Sequence, residues 1–228
     1  MKIDMHVHTN RSDGLYSPEI AIKVAIHKGL NGIAITDHDV PPPDIKSDKI
    51  LVIPGVEVST DKGHILLIGA KKAPKKGISI PELIDLAREN DWLVIPAHPF
   101  DRRRKGIGEE IFKYKFDAIE AINCSTLSMK LNNKAREAAK ILRLPEIAGS
   151  DAHCIEIIGS CYTIFEDNVE SVDDVIESIR KGKTIPFGCS PIIRVLKCLS
   201  KLLTIKFKGY IWSRVTGRGY SFYHISFK

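Results

Sequence analysis

Short apolar runs alternate along the chain with stretches whose apolar residues recur every three or four positions. "KIDMHV", "GIAITD", "ILVIPGVEV", "HILLIGA", "WLVIPA", "FDAIEAIN", "PEIAGSD", "CYTIFE" and "TIPF" read as strands. "SPEIAIKVAIHKGL", "SIPELIDLAREN", "MKLNNKAREAAKILRL" and "SVDDVIESIRKGK" read as helices. Ser17 is placed to cap the first of these, with Pro18 in its first turn and Gly29 near its end. The turn "STDKG" predicts a hairpin between "VEV" and "HILLIGA". Strand–helix alternation otherwise implies a mainly parallel sheet with right-handed crossovers. The expected fold is α/β: a distorted (β/α)7-type, TIM-like barrel of mainly parallel strands with a basic C-terminal helix and tail. No G-x-G-x-x-G or Walker A loop occurs, which removes the dinucleotide and P-loop classes.

Charge divides the chain in two. From Pro191 to Lys228 there are 8 Lys/Arg and no Asp/Glu, while the rest carries 26 basic and 28 acidic residues. The net charge of +6 therefore belongs to the tail. The expected organisation is a barrel over residues 1–188 and a basic extension over 189–228, packed on the barrel. No apolar run is long enough for a membrane span, and "MKIDMHVH" is no signal peptide, so the expected location is cytoplasmic. The five cysteines (124, 154, 161, 189 and 198) are odd in number and form no C-x-x-C pair. They read as reduced, mostly buried thiols.

The histidines sharpen the picture. His6, His8, His38, His98 and His153 sit at or just past the C-terminal end of a strand-like run, where parallel β/α folds place their active sites. The predicted hairpin brings His64 beside Glu57 at the same rim. Asp13, Asp37, Asp39 and Asp151 share that placement. H-x-H and D-x-H have the period of a strand, so both members face one way and one metal can take both. Nitrogen and carboxylate ligands suit zinc, manganese or iron. A lone strand-end histidine is usually a satisfied polar residue. Six at one rim are better explained by a shared metal cluster, because burying them without partners costs several kcal/mol. His27, inside a helix pattern, and His224, in the tail, keep the ordinary reading.

"DMHVHTNRSDG", "AITDHD", "PGVEVST…GHILLIG", "IPAHPF" and "AGSDAH" occur in that order. Together they resemble the polymerase and histidinol phosphatase (PHP) family, specifically its small stand-alone metal-dependent phosphoesterases. The motifs span residues 3–153, and the strand–helix pattern extends the match to about residue 188. The resemblance implies a trinuclear centre of two or three divalent ions (Mn, Zn, Fe or Mg). Its ligands would be His6, His8, Asp13, His38, Glu57, His64, His98, Asp151 and His153. One ion would use His6, His8, Glu57 and Asp151. A second would share Glu57 and add His64 and His98. A third would use Asp13, His38 and His153. Asp13, His38, Glu57, Asp151 and His153 would carry the catalytic roles. Asp13 stands where some branches have His, and the "GH" hairpin holds His64. Both features favour phosphoesterases of small molecules or nucleic acids over histidinol-phosphate phosphatase, which stays an alternative.

The implied activity is hydrolysis of a phosphate ester by a metal-bridged hydroxide, with a nucleotide, an oligonucleotide end or another small phosphorylated molecule as substrate. Arg102, Arg103 and Arg104 follow His98 and would form a phosphate clamp. Asp37 and Asp39 are expected to orient ligand imidazoles. In "SPIIRVLKCLSKLLTIKF", Ile192, Leu196, Leu199 and Leu203 recur at helical spacing among basic residues. The plain reading is a helix packed on the barrel; the sharper ones are a nucleic-acid contact or a membrane-surface helix. "YIWSRVTGRGYSFYHISFK" interleaves aromatics with basic residues, a pattern that can stack bases. A non-catalytic scaffold in an RNA-binding complex is the competing reading, against which the full ligand set argues.

Overall fold

The structure, a computed structural model, describes residues 1–216, with side-chain surroundings through residue 205. Nine strands and five α-helices follow the alternation read from the sequence. They are β1 (Lys2–Val7), α1 (Pro18–His27), β2 (Gly32–Ile35), β3 (Leu51–Ser59), β4 (His64–Ile68), α2 (Ile80–Glu89) and β5 (Leu93–Pro96). Then come β6 (Ile119–Asn123), α3 (Met129–Leu142), β7 (Glu146–Gly149), β8 (Cys161–Phe165), α4 (Val172–Arg180), β9 (Thr184–Gly188) and α5 (Ile192–Thr216). Ser79 and Ser171 start α2 and α4 with reciprocal capping boxes to Glu82 and Asp174. At α1, Ser17 occupies the cap position but makes no side-chain cap bond, and Pro18 sets the first turn.

The sheet corrects the expectation of mainly parallel strands. Its order is β5-β4-β3-β2-β1-β8-β9, curled into a half barrel, with β6-β7 as a separate pair. Only β1-β2, β2-β3 and β6-β7 run parallel; β3-β4, β4-β5, β1-β8 and β8-β9 are antiparallel. The reason is local. The β3-β4 hairpin reverses the chain, as "STDKG" predicts, and β5 then pairs with the reversed strand. An apolar run does not encode its own direction, so the other reversals left no mark in the sequence. The β6-β7 pair spans the open side: Asp117 N donates to Val94 O, and Asp151 N donates to His6 O at 2.7 Å.

Three aliphatic layers hold this frame. Leu67, Ile80, Leu83 and Trp92 belong to the layer that joins α2 to the sheet. Ile3, Ile53, Leu66, Ile95 and Phe165 form a second. Val7, Leu15, Ile35 and Ile157 form a third, which also buries Val195 and Cys198 of α5. The tail helix is thus packed on the strand ends near β1 and β7. The aromatic and basic stretch 210–228 lies outside the residues whose side chains are described.

The cysteines depart from the reduced-thiol expectation. Folding brings Cys124 to Cys161 and Cys154 to Cys198, with Cα separations of 5.7 and 5.8 Å, and both pairs are disulfides. Sequence separations of 37 and 44 hide this proximity. Cys189 is free and exposed. No helix among the described residues is long and apolar enough to cross a membrane.

Candidate metal centre

β1 delivers the first two imidazoles. His6 and His8 put their Nε2 atoms 3.0 Å apart. Gly149 on β7 makes room for this: a Cβ there would fall 2.3 Å from the Cβ of His6. Glu57, on β3, sets Oε2 at 3.2 Å from His6 Nε2 and 3.0 Å from His8 Nε2. Asp151, just past β7, sets Oδ1 at 3.2 Å from His8 Nε2 and 3.6 Å from His6 Nε2. Four ligand atoms thus surround one point. For bonds of about 2.0–2.1 Å, tetrahedral ligands of a zinc-sized ion stand about 3.3 Å from one another.

The other oxygen of Glu57 serves a second group. Oε1 lies 3.0 Å from His64 Nδ1 and 3.0 Å from His98 Nε2. His98 Nε2 is also 3.7 Å from Asp151 Oδ2. The hairpin register explains His64, which pairs across from Ser59 while Glu57 pairs across from Leu66. A third group gathers around Asp13, whose Oδ1 is 3.1 Å from His153 Nε2, 3.8 Å from His8 Nδ1 and 3.9 Å from His38 Nε2. His38 also stands 3.3 Å from Glu57 Oε2. All nine predicted ligand residues therefore meet at one mouth. His8, Glu57 and His38 each border two groups, so the groups are less separate than the resemblance implies.

The atoms point at shared space more than at one another. His8 Nδ1, both ring nitrogens of His64, His98 Nδ1 and Asp151 Oδ1 are buried without an aligned hydrogen bond among the described residues. Buried polar atoms are normally paired, so the donor set and its orientation fit divalent cations. Two imidazoles are already turned for that purpose. His6 Nδ1 faces Glu120 Oε1 at 2.9 Å and His153 Nδ1 faces the Asp151 carbonyl at 3.0 Å. A proton on each Nδ1 leaves each Nε2 lone pair free.

The backbone is strained at two of these positions. His98 has φ +31° and Asp151 φ +52°, left-handed values that cost non-glycine residues of order 1–3 kcal/mol. Hydrogen bonds hold both: His98 N donates to Glu120 Oε2 at 2.6 Å, and Asp151 N donates to His6 O.

The carboxylates and imidazoles of the cluster shift one another's protonation. Burial alone would push His8 down, but the carboxylates of Asp151 and Glu57 outweigh it and raise the ring to about 10. Burial likewise opposes the charged form of His6, yet Asp151, Glu120 and Glu57 hold it well above the ordinary imidazole value. His38 goes the other way: burial pushes it down to about 4, and the neighbouring His8 and His64 add to this. Glu57 and Asp151 are held well below the carboxylate range despite burial, Glu57 by His38 and His6, Asp151 by Arg104 and His6. Asp13 is lowered against burial by His153 first.

A cleft of about 490 Å³ opens above the cluster. Lys76, Arg103, Arg104 and Lys105 line it with the histidines. Arg104 pairs with Asp151 Oδ2 and is one quarter exposed. Arg103 is largely exposed and 3.6 Å from Asp101. Arg102 does not line the cleft. The three arginines form one turn of 3₁₀ helix, which splays successive side chains about 120° apart, so they cannot all face one way. Asp37 and Asp39 also differ from expectation. Asp37 accepts from Thr9 N, Thr9 Oγ1 and Ser12 Oγ, and Asp39 accepts from Ser59 N. Both fix loops around the mouth and neither orients a ligand ring. Glu120 takes that role for His6, and Asn123 Nδ2 donates to both Glu120 Oε2 and Asp151 Oδ2 at 3.0 Å. The sequence marks Glu120 only as a carboxylate inside the apolar strand of "FDAIEAIN". Lys76 is one of several lysines in the loop "KKAPKKG", and nothing in the sequence sets it apart.

A family model described as PHP-associated matches residues 130–184. Two uncharacterized proteins of Methanocaldococcus jannaschii are similar to this chain. One is 30% identical over 165 residues, covering 65% of this chain and 96% of the relative. The other is 31% identical over 186 residues, covering 77% and 75%. The 5'-3' exoribonuclease Rnm of Salmonella typhimurium is 38% identical over 65 residues, 25% of this chain and 22% of that protein. Among solved structures, PsfC from Pseudomonas syringae superposes with TM-score 0.70 at 16% identity, covering 90% of this chain and 98% of that one. A Bacteroides vulgatus two-domain protein containing a predicted PHP-like metal-dependent phosphoesterase gives 0.66 at 20% identity, covering 83% and 65%. The lesion-specific endonuclease EndoQ of Pyrococcus furiosus gives 0.59 at 19% identity, covering 83% and 59%. At these identities the structural likenesses speak for the fold alone. With a relative matched across nearly its whole length, and with the ordered histidine and carboxylate motifs, the chain belongs to the PHP family.

Proposed function

We propose that the protein hydrolyses phosphate esters with two or three divalent cations held by His6, His8, Asp13, His38, Glu57, His64, His98, Asp151 and His153. One observation carries this reading: the two oxygens of Glu57 face two different imidazole groups under a cationic rim. Bound cations would acidify a water and neutralise phosphate charge. The chain's own residues do the rest. Arg104 and Arg103 present guanidinium groups to phosphate oxygens, and Arg104 also fixes the Asp151 carboxylate. Lys76 and Lys105 add positive charge that draws an anionic substrate to the cleft. His38, lowered to about 4, is neutral at pH 7 and keeps the lone pair of one ring nitrogen available. Glu120 and Asn123 hold His6 and Asp151 in orientation.

A 65-residue stretch is shared with an exoribonuclease, which supports oligonucleotide ends as candidates beside small phosphate monoesters. The expected result is metal-dependent release of phosphate or nucleotide in a screen of nucleoside monophosphates, a 3',5'-bisphosphate, short RNA and histidinol phosphate. A chelator should abolish the activity and Mn²⁺ restore it. Activity that survives complete chelation would contradict the proposal.

A further inference from the structure

A second cavity, of about 180 Å³, adjoins the main cleft. Asp13, Arg104 and His153 line both, so the two spaces share a wall at the ligand cluster. The far side of the second cavity is different in kind. It is made by Ile157 after β7 and by Val195, Leu199 and Leu202 of α5, with Ser125 and the disulfide-bonded Cys198 beside them. Ile157, Val195, Leu199 and Leu202 are branched aliphatic side chains, and Leu199 is 37% exposed. α5 is fixed against the site at three points. Cys198 is bonded to Cys154, the residue after His153; Lys201 pairs with Glu156; and Val195 is buried in the core layer. The sequence motifs of the family stop short of this helix.

We propose that this cavity receives the apolar organic group of the phosphate ester, making α5 a specificity element. The inference rests on the phosphoesterase reading. A phosphoryl group held between Arg104 and the cluster has its substituent directed either to solvent or across the Asp13–His153 wall. Only the second direction is lined by branched aliphatic side chains. The size selects the class of group. An apolar protein cavity of about 150 Å³ takes a benzene molecule. The space beside α5 therefore suits a compact ring or branched alkyl group, and rewards its burial. Phosphate esters bearing such a group are favoured over those carrying a short or strongly hydrated one.

The test is affinity, which needs no turnover. The Mn²⁺-loaded full-length protein is titrated with phenylphosphonate and with methylphosphonate, which share the anion and differ in the group. Phenylphosphonate is expected to bind at least about tenfold more tightly. Leu199→Asn, polar but uncharged, should bring the ratio to about one while the methylphosphonate affinity holds, and Leu199→Trp, which fills the space, should do the same. A wild-type ratio near one, or an equal loss of both ligands in the two variants, would overturn the subsite. If Mn²⁺ binds and neither phosphonate does, the phosphoesterase reading itself fails, and the subsite with it.

Discussion

Leu83 and Glu57 are buried to the same degree and live under opposite rules. Leu83 lies on α2 among Leu67, Ile80 and Trp92, surrounded by apolar contacts. Its burial contributes about 1.5–3 kcal/mol and asks nothing further of its neighbours. Glu57 sits 1% exposed amid His6, His8, His38, His64 and His98, where several polar atoms make no aligned hydrogen bond. Close by, two residues adopt left-handed backbone that their side chains disfavour. Stability made in the aliphatic layers is what tolerates this arrangement. The difference teaches where folding ends and chemistry begins in this chain.

Substitutions in the two regions should separate. Asp151→Ala removes a ligand atom shared by His6 and His8, and should lower turnover by at least about a thousandfold together with ion content. Stability should fall as well, because Arg104, His6 and His8 lose a buried counter-charge, so turnover and ion content are read per folded molecule. Leu83→Ala should differ, costing about 2–5 kcal/mol of stability in denaturant melts while the folded fraction keeps its ions and its turnover. Full turnover in Asp151→Ala would erase the contrast. Glu120→Gln gives a smaller, sharper effect. It keeps the shape but weakens the hold on His6 Nδ1, so cation affinity should fall by about 10–100-fold in a metal titration, with the fold intact. Unchanged affinity would remove Glu120 from the account.

Much of this was legible in the sequence because it is local. The strand runs, the "STDKG" hairpin that aligns His64 with Glu57, and the H-x-H and D-x-H pairs all follow from period and turn chemistry. What escaped depends on tertiary neighbours. Nothing in "WLVIPA" says that β5 runs against β4. The Cys124–Cys161 and Cys154–Cys198 pairs come together only after the strands are placed. Arg102 and Arg104 are two residues apart, yet one turn of 3₁₀ helix sends them different ways. α5 reads as an amphipathic basic helix, and only its docking shows that Leu199 and Leu202 face the mouth.

Calorimetric titration of the ion-free protein with Mn²⁺ or Zn²⁺ across pH 6 to 9 tests the central claim most directly. The acidic neighbours keep His8 protonated up to about 10, so each ion that binds through it must expel that proton. The account predicts two or three ions per chain and an affinity that rises with pH, by about tenfold per unit for each proton released. Fewer than two ions, or an affinity indifferent to pH, would contradict it.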